Sequence, residues 1–225
     1  MRDNASKFIA RAALIALAGY VLSGPASVAF VMAFFPQPAW TSAPVFVAHY
    51  HFLQNLSYYF GFLLVGGMLM LFVGHYRIAG AAHKRQTLLA LVLSAPFAAL
   101  IFFNYIAQTT FVHNLVRNYR PGFDAAIAIF SMANPLSLCW GIEMWGYAIL
   151  GVATWLLAPY YRDRSVAIRY LLVLNGWMSV VGGVFTAADA GWVLTTAGLT
   201  AYSLWNLVMM ALMVLIYRDA VKRGH

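Results

Sequence analysis

The chain has 225 residues, 63% of them hydrophobic and 9% charged; ordinary soluble domains carry about 25% charged residues. A soluble globule of this size could not hide so much apolar surface in one core, so lipid is expected as the solvent for most of it. The net charge of +8 would suggest nucleic acid in a soluble protein, but the basic residues sit in short clusters between apolar runs, which excludes that partner and marks them as topology signals.

Six apolar stretches are long enough to cross about 30 Å of hydrocarbon as helices. The predicted spans are residues 10–35, 52–73, 87–112, 135–157, 166–186 and 193–217. No alternation of a barrel strand is present. The expected fold is therefore all-α, a single polytopic membrane domain of six transmembrane helices. The first stretch follows Arg2, Lys7 and Arg11 but is too long for a signal-peptide core, so it reads as a retained helix. With the N-terminus placed inside, the inner segments hold 12 of the 14 basic residues; only Arg117 and Arg120 fall outside. This asymmetry predicts both termini in the cytoplasm, and the short, charge-sparse loops suggest the cytoplasmic (inner) membrane of a cell.

Along the chain, Pro25 and Pro96 are expected to kink spans one and three. Gly19, Ser23 and Ser27, and Ser179 with Gly183, are small residues at four-residue spacing that permit close helix approach. Trp40, Tyr119 and Trp192 fit one interfacial aromatic belt, and Tyr76, Tyr160, Tyr161 and Tyr217 the other.

Polar residues inside the spans are the candidates for chemistry. In span two, His51, Gln54 and Tyr58 share a face, with Asn55 beside them. In span three, Asn104 and Gln108 lie four apart, next to a stripe of Tyr105, Thr109 and His113. Span four carries Glu143, about nine residues and so roughly 13 Å from the outer helix start. Cys139 and Tyr147 share its face and Trp140 flanks it. It is the one acidic residue deep in any span, costs a few kcal/mol to insert, and is a functional site by default; the bland alternative is a carboxyl that glues two helices. Span five offers Asn175, Ser179, Gly182, Thr186 and Asp189, and span six Thr195, Tyr202 and Asn206. Most of these groups fall between the midplane and the outer surface. They predict a polar cavity that opens outward, is floored near Glu143, and is closed by apolar segments such as 63–73 and 207–216.

No metal or haem is expected. No HxxxH or HExxH pair occurs on a helix, and His51 with His113 is the one histidine pair at similar depth. Cys139 is the single cysteine, so no disulfide or CxxC motif exists. No deep lysine is present for a retinal Schiff base, no arginine ladder, no P-loop and no GxSxG.

Three functions fit these residues. The first is binding or transport of a small ligand or a proton, with Glu143 as proton acceptor or cation partner and Asn104, Gln108 and Asn206 as orienting groups; six helices are few for a monomeric transporter, so a homo-oligomer would ease it. The second is an accessory or assembly subunit of a larger membrane complex, its polar groups serving as glue. The third is an enzyme acting on a lipid or isoprenoid, with Glu143 as general acid or base and His51 or His113 as its partner.

Overall fold

The computed structural model describes residues 2–223, with side chains from Asn4 to Arg223; His225 and the Arg2 side chain lie outside the described residues. Among the described residues all regular structure is helical, and six helices are long and apolar enough to cross a membrane. That form follows from the solvent: lipid offers no hydrogen bonds, so each span satisfies its backbone internally.

Span one is α1 (Arg2–Val21), a π-turn and α2 (Ser27–Phe34). A short α3 (Ala43–Ala48) precedes span two, α4 (Leu56–Ile78). Span three is α5 (Ala81–Ile106) continuing through a π-turn into α6 (His113–Arg117). A short α7 (Asp124–Phe130) precedes span four, α8 (Leu138–Leu157). Spans five and six are α9 (Val166–Ala188) and α10 (Thr196–Arg223). Several helices run past the expected span ends, most at Arg2, then at Ala81 and Arg223, because charged residues such as Lys7, Lys84 and Lys222 continue a helix beyond the apolar run.

The spans pack in chain order as a closed ring: α1 on α4, α4 on α5, α5 on α8, α8 on α9, α9 on α10, and α10 back on α1. Small residues set the closest seam. A methyl at Gly19 would collide with the Leu64 backbone, and one at Gly67 with the Ala16 backbone, so α1 and α4 touch main chain to main chain. On the α8–α9 seam Gly151 would place a methyl 2.9 Å from the Gly176 carbonyl, and Gly183 one 3.0 Å from Ala148 Cβ.

The ring differs between its two ends. The main apolar core lies toward the termini and includes Ile9, Ala16, Leu71, Phe72, Leu157, Leu172, Leu212 and Ile216. Toward the loops, α2 exposes Val28, Phe30, Met32 and Phe34, and α10 exposes Leu199, Tyr202, Leu204 and Leu207. The divergence begins at Gly24 and Pro25, where the backbone of Gly24 leaves helical conformation (φ −89°, ψ −107°). Proline removes a helical hydrogen bond and clashes one turn back. By contrast α5 remains α-helical through Pro96, and the irregularity of span three falls at Ala107–Val112. Over the loop end α3 packs on α7 around Phe46, Val112 and Ile127, forming a small cap.

Candidate functional site

Glu143 sits on the inner face of α8, where α5 supplies its partners. Asn104 Nδ2 donates to Glu143 Oε2 at 2.5 Å, and Tyr105 Oη donates toward Oε1 at 3.4 Å. Tyr105 and Tyr147 hydroxyls are 3.1 Å apart. Among the described residues no lysine, arginine or histidine forms an ion pair with Glu143; the salt bridge seen is Asp219 with Arg223, near the C-terminus. Glu143 lies deep between helices yet keeps part of its surface accessible, as do Tyr58, Tyr147 and Trp205. A buried carboxyl with neutral donors and residual free surface is a site that can still take a cation or a proton.

Gln108 and Trp140 hold these partners in place. Gln108 Nε2 donates to Asn104 Oδ1 at 3.4 Å and to the Phe130 carbonyl at 2.8 Å, while its Oε1 accepts from Met132 N at 3.0 Å. Trp140 Nε1 donates to the Met132 carbonyl at 2.7 Å. The segment after α7 is thus pinned to α5 by one glutamine. The π-turn at Ala107–Val112 carries Gln108; its extra residue per turn shifts the helix phase, and such turns recur at functional sites.

Aromatic rings continue from Glu143 across the bundle. Tyr147 meets Trp205 edge-on, centroids 4.9 Å apart; Trp205 meets Tyr20 edge-on at 5.7 Å and lies near-parallel to Tyr202 at 6.3 Å. Tyr58 packs on Tyr105 at 5.7 Å. Trp205 Nε1 donates to Asn175 Oδ1 at 2.8 Å, and Asn175 in turn donates to Thr154 Oγ1 at 3.0 Å, which fixes the indole from behind. Tyr20 is fully buried and its hydroxyl has no hydrogen-bond partner among the described residues.

Between this centre and the cap lies a cavity of about 220 Å³, lined by Gln37, Phe46, Tyr50, Gln54, Asn55, Tyr58, Gln108, Val112 and residues 131–133. Tyr58 and Gln108 form the side of it that faces Glu143. Asn55 Nδ2 donates to Tyr50 Oη at 2.7 Å and to the Gln108 carbonyl at 3.3 Å. Burial pushes the Tyr50 hydroxyl up to about 12, with the Asn55 bond opposing. It therefore stays protonated and can donate to His113 Nδ1, 2.9 Å away. A larger open cleft of about 400 Å³ runs past His51, His113 and Arg117 on the surface.

The residues singled out in the sequence divide into groups. Glu143, Asn104, Gln108 and Tyr147 come together at one centre, and Tyr58 lies beside them, within electrostatic reach of Glu143. Tyr202 and Asn206 approach from α10: Asn206 Nδ2 donates to the Tyr202 carbonyl at 3.0 Å, and its Oδ1 lies beside Gly24 at the break in span one. His51 and Gln54 serve the loop. Residues 52–55 form a 3₁₀ turn rather than α-helix, and His51 and Gln54 make its capping box. Gln54 Nε2 also donates to the Phe35 and His49 carbonyls, both at 3.0 Å. His113 is bound to Tyr50 in the cap, and Asp189 is exposed and accepts from Gly191 N at 2.9 Å. Tyr160 and Tyr161, expected at an interface, are buried instead: Tyr161 bonds His75 Nε2 at 2.5 Å, and Tyr160 accepts from Arg223 at 2.9 Å.

Tyr20, Tyr50, Met132 and Trp205 belong to this region although the sequence did not put them forward, and Asn55 and Tyr105, named there only beside the main candidates, prove central to it. Tyr105 and Asn55 were signalled by their polar neighbours, and Trp205 by its spacing of three from Tyr202. Tyr20 carried no signal, since it stands alone in an alanine-rich helix. Among the described residues, no three of His, Cys, Asp and Glu cluster as a metal site. Compared with protein-family models, curated proteins and solved structures, the chain matches none.

Proposed function

We propose that this chain is a multi-pass protein of the cytoplasmic membrane, with both termini cytoplasmic, that binds or transports a small ligand or a proton at Glu143. The observation that carries the reading is a deeply placed carboxyl held by neutral donors, without an ion-pair partner among the described residues, on a residue left partly accessible. A carboxyl retained only as glue gains nothing from free surface; its lone pairs would be closed by neighbouring helices. The cavity beneath the cap gives a polar approach from the loop end. The apolar core toward the termini is the barrier such a protein needs at its other end. The six-span count brings both ends of the chain to one side, and the basic residues on that side support the cytoplasm.

The test is Glu143→Gln, purified and reconstituted beside the wild type. Under this reading the variant folds, because an amide still accepts from Asn104, but loses ligand- or proton-dependent flux across the vesicle membrane. A variant with unchanged flux would overturn it.

The accessory-subunit reading has one observation in its favour: the Gln108 amide is fully engaged in pinning the segment after α7. It foresees Glu143→Gln as silent in isolation and in the assembled complex alike. The lipid-enzyme reading draws no support from the histidines, since His51 and His113 are taken up in the loop and cap.

A further inference from the structure

We infer that the ligand of the Glu143 site is a compact organic ammonium ion, seated between the carboxyl and an aromatic wall; this deepens the reading above and rests on it. The groups that converge here are one carboxyl and the side chains of Tyr58, Tyr147, Tyr202 and Trp205, which all retain accessible surface in the interior. They come from α4, α8 and α10, three separate members of the ring.

The chemistry of this set is selective. An anion would face a carboxylate with no basic residue paired to it. A bare metal ion prefers several oxygen ligands, whereas the wall opposite Glu143 is aromatic ring. A neutral apolar molecule would leave the carboxyl unpaired. An alkylammonium satisfies both halves: its charge pairs with Glu143, and its carbon-bound hydrogens lie on ring faces, where the quadrupole attracts a cation. Such contacts strengthen when a bound ligand displaces water from the site.

Two features prepare the wall. Trp205 is held by Asn175 and Ser179 through its indole N–H, at 2.8 and 3.2 Å, so the ring is fixed before a ligand arrives. Tyr20, fully buried, packs edge-on against Trp205 at 5.7 Å and backs the indole. The break at Gly24 lies beside Tyr202 and Asn206 of α10, and Tyr202 is half exposed there.

The experiment is binding to the full chain in nanodiscs, read by tryptophan fluorescence with Trp205→Phe as the assignment control. The probes are choline, butylammonium, the uncharged carbon isostere of choline (3,3-dimethylbutan-1-ol), sodium and acetate. Choline or butylammonium should saturate the signal at a concentration at least tenfold below that of the isostere, and Glu143→Gln should remove that preference. The comparison of choline with its isostere in the wild type stands even where a variant fails to fold. Equal binding of the isostere, or preferred binding of sodium or acetate, would overturn the ammonium assignment while leaving a ligand site at Glu143. No saturable response to any probe would overturn the ammonium assignment, while the wider reading at Glu143 falls only if Glu143→Gln leaves flux unchanged.

Discussion

At the scale of single residues, Asn104 and Glu143 separate cost from function. Asn104 donates to Glu143 and accepts from Gln108. Asn104→Leu removes both bonds, leaving Glu143 with Tyr105 alone and Gln108 Nε2 with the Phe130 carbonyl, at about 1–3 kcal/mol in all before relaxation. The variant should therefore unfold at clearly lower temperature or denaturant than the wild type, measured by near-ultraviolet circular dichroism in detergent. Glu143→Gln keeps an acceptor for Asn104 and should unfold close to wild type. The sequence made Glu143 legible for a simple reason: a lone carboxyl in a span has no cheap explanation. Asn104 and Gln108 followed from their spacing on one helix face. Tyr20 and Trp205 were not legible, because an aromatic residue in an apolar run looks the same whether it meets lipid or a site. Gln54 lines the cavity beside Tyr58, but residues 52–55 wind as a 3₁₀ turn that His51 and Gln54 cap, a geometry that helical spacing alone does not give.

At the scale of elements, the seam between α1 and α4 makes the sharpest contrast. Gly67 faces the Ala16 backbone, whereas a methyl at neighbouring Gly66 would meet nothing within 4 Å. Gly67→Ala should push the helices apart and destabilise by about 1–3 kcal/mol. Gly66→Ala should be neutral or stabilising by up to about 1 kcal/mol, since alanine is the better helix former. Reversible unfolding of the two variants side by side checks this. The small-residue spacing from Gly19 pointed to such a seam, but not to its partner, since helix neighbours are set by tertiary packing. The same limit applies to the breaks. Proline is visible in sequence, and Pro25 does lie at one; the turn at Ala107–Val112 has no proline and carries Gln108, which bonds the segment after α7.

At the scale of the molecule, six spans were legible because hydrophobic length is nearly sufficient evidence in lipid. Their closed ring in chain order was not, although short connections favour antiparallel neighbours. The ring buries Cys139 completely. A maleimide should leave the native protein unlabelled and modify one thiol only on unfolding, a count that mass spectrometry reads directly. Interior access is then the central matter: Glu143 must meet water or ligand if it works, and must not if it only holds α5 to α8. The most direct measurement is the infrared carboxyl stretch of Glu143 in membranes moved from H₂O to D₂O, with Glu143→Gln as the assignment control. The account expects the band to shift within seconds and to move again when an ammonium probe is added. A band that neither exchanges over hours nor responds to any probe would contradict it and leave Glu143 as a structural contact between two helices.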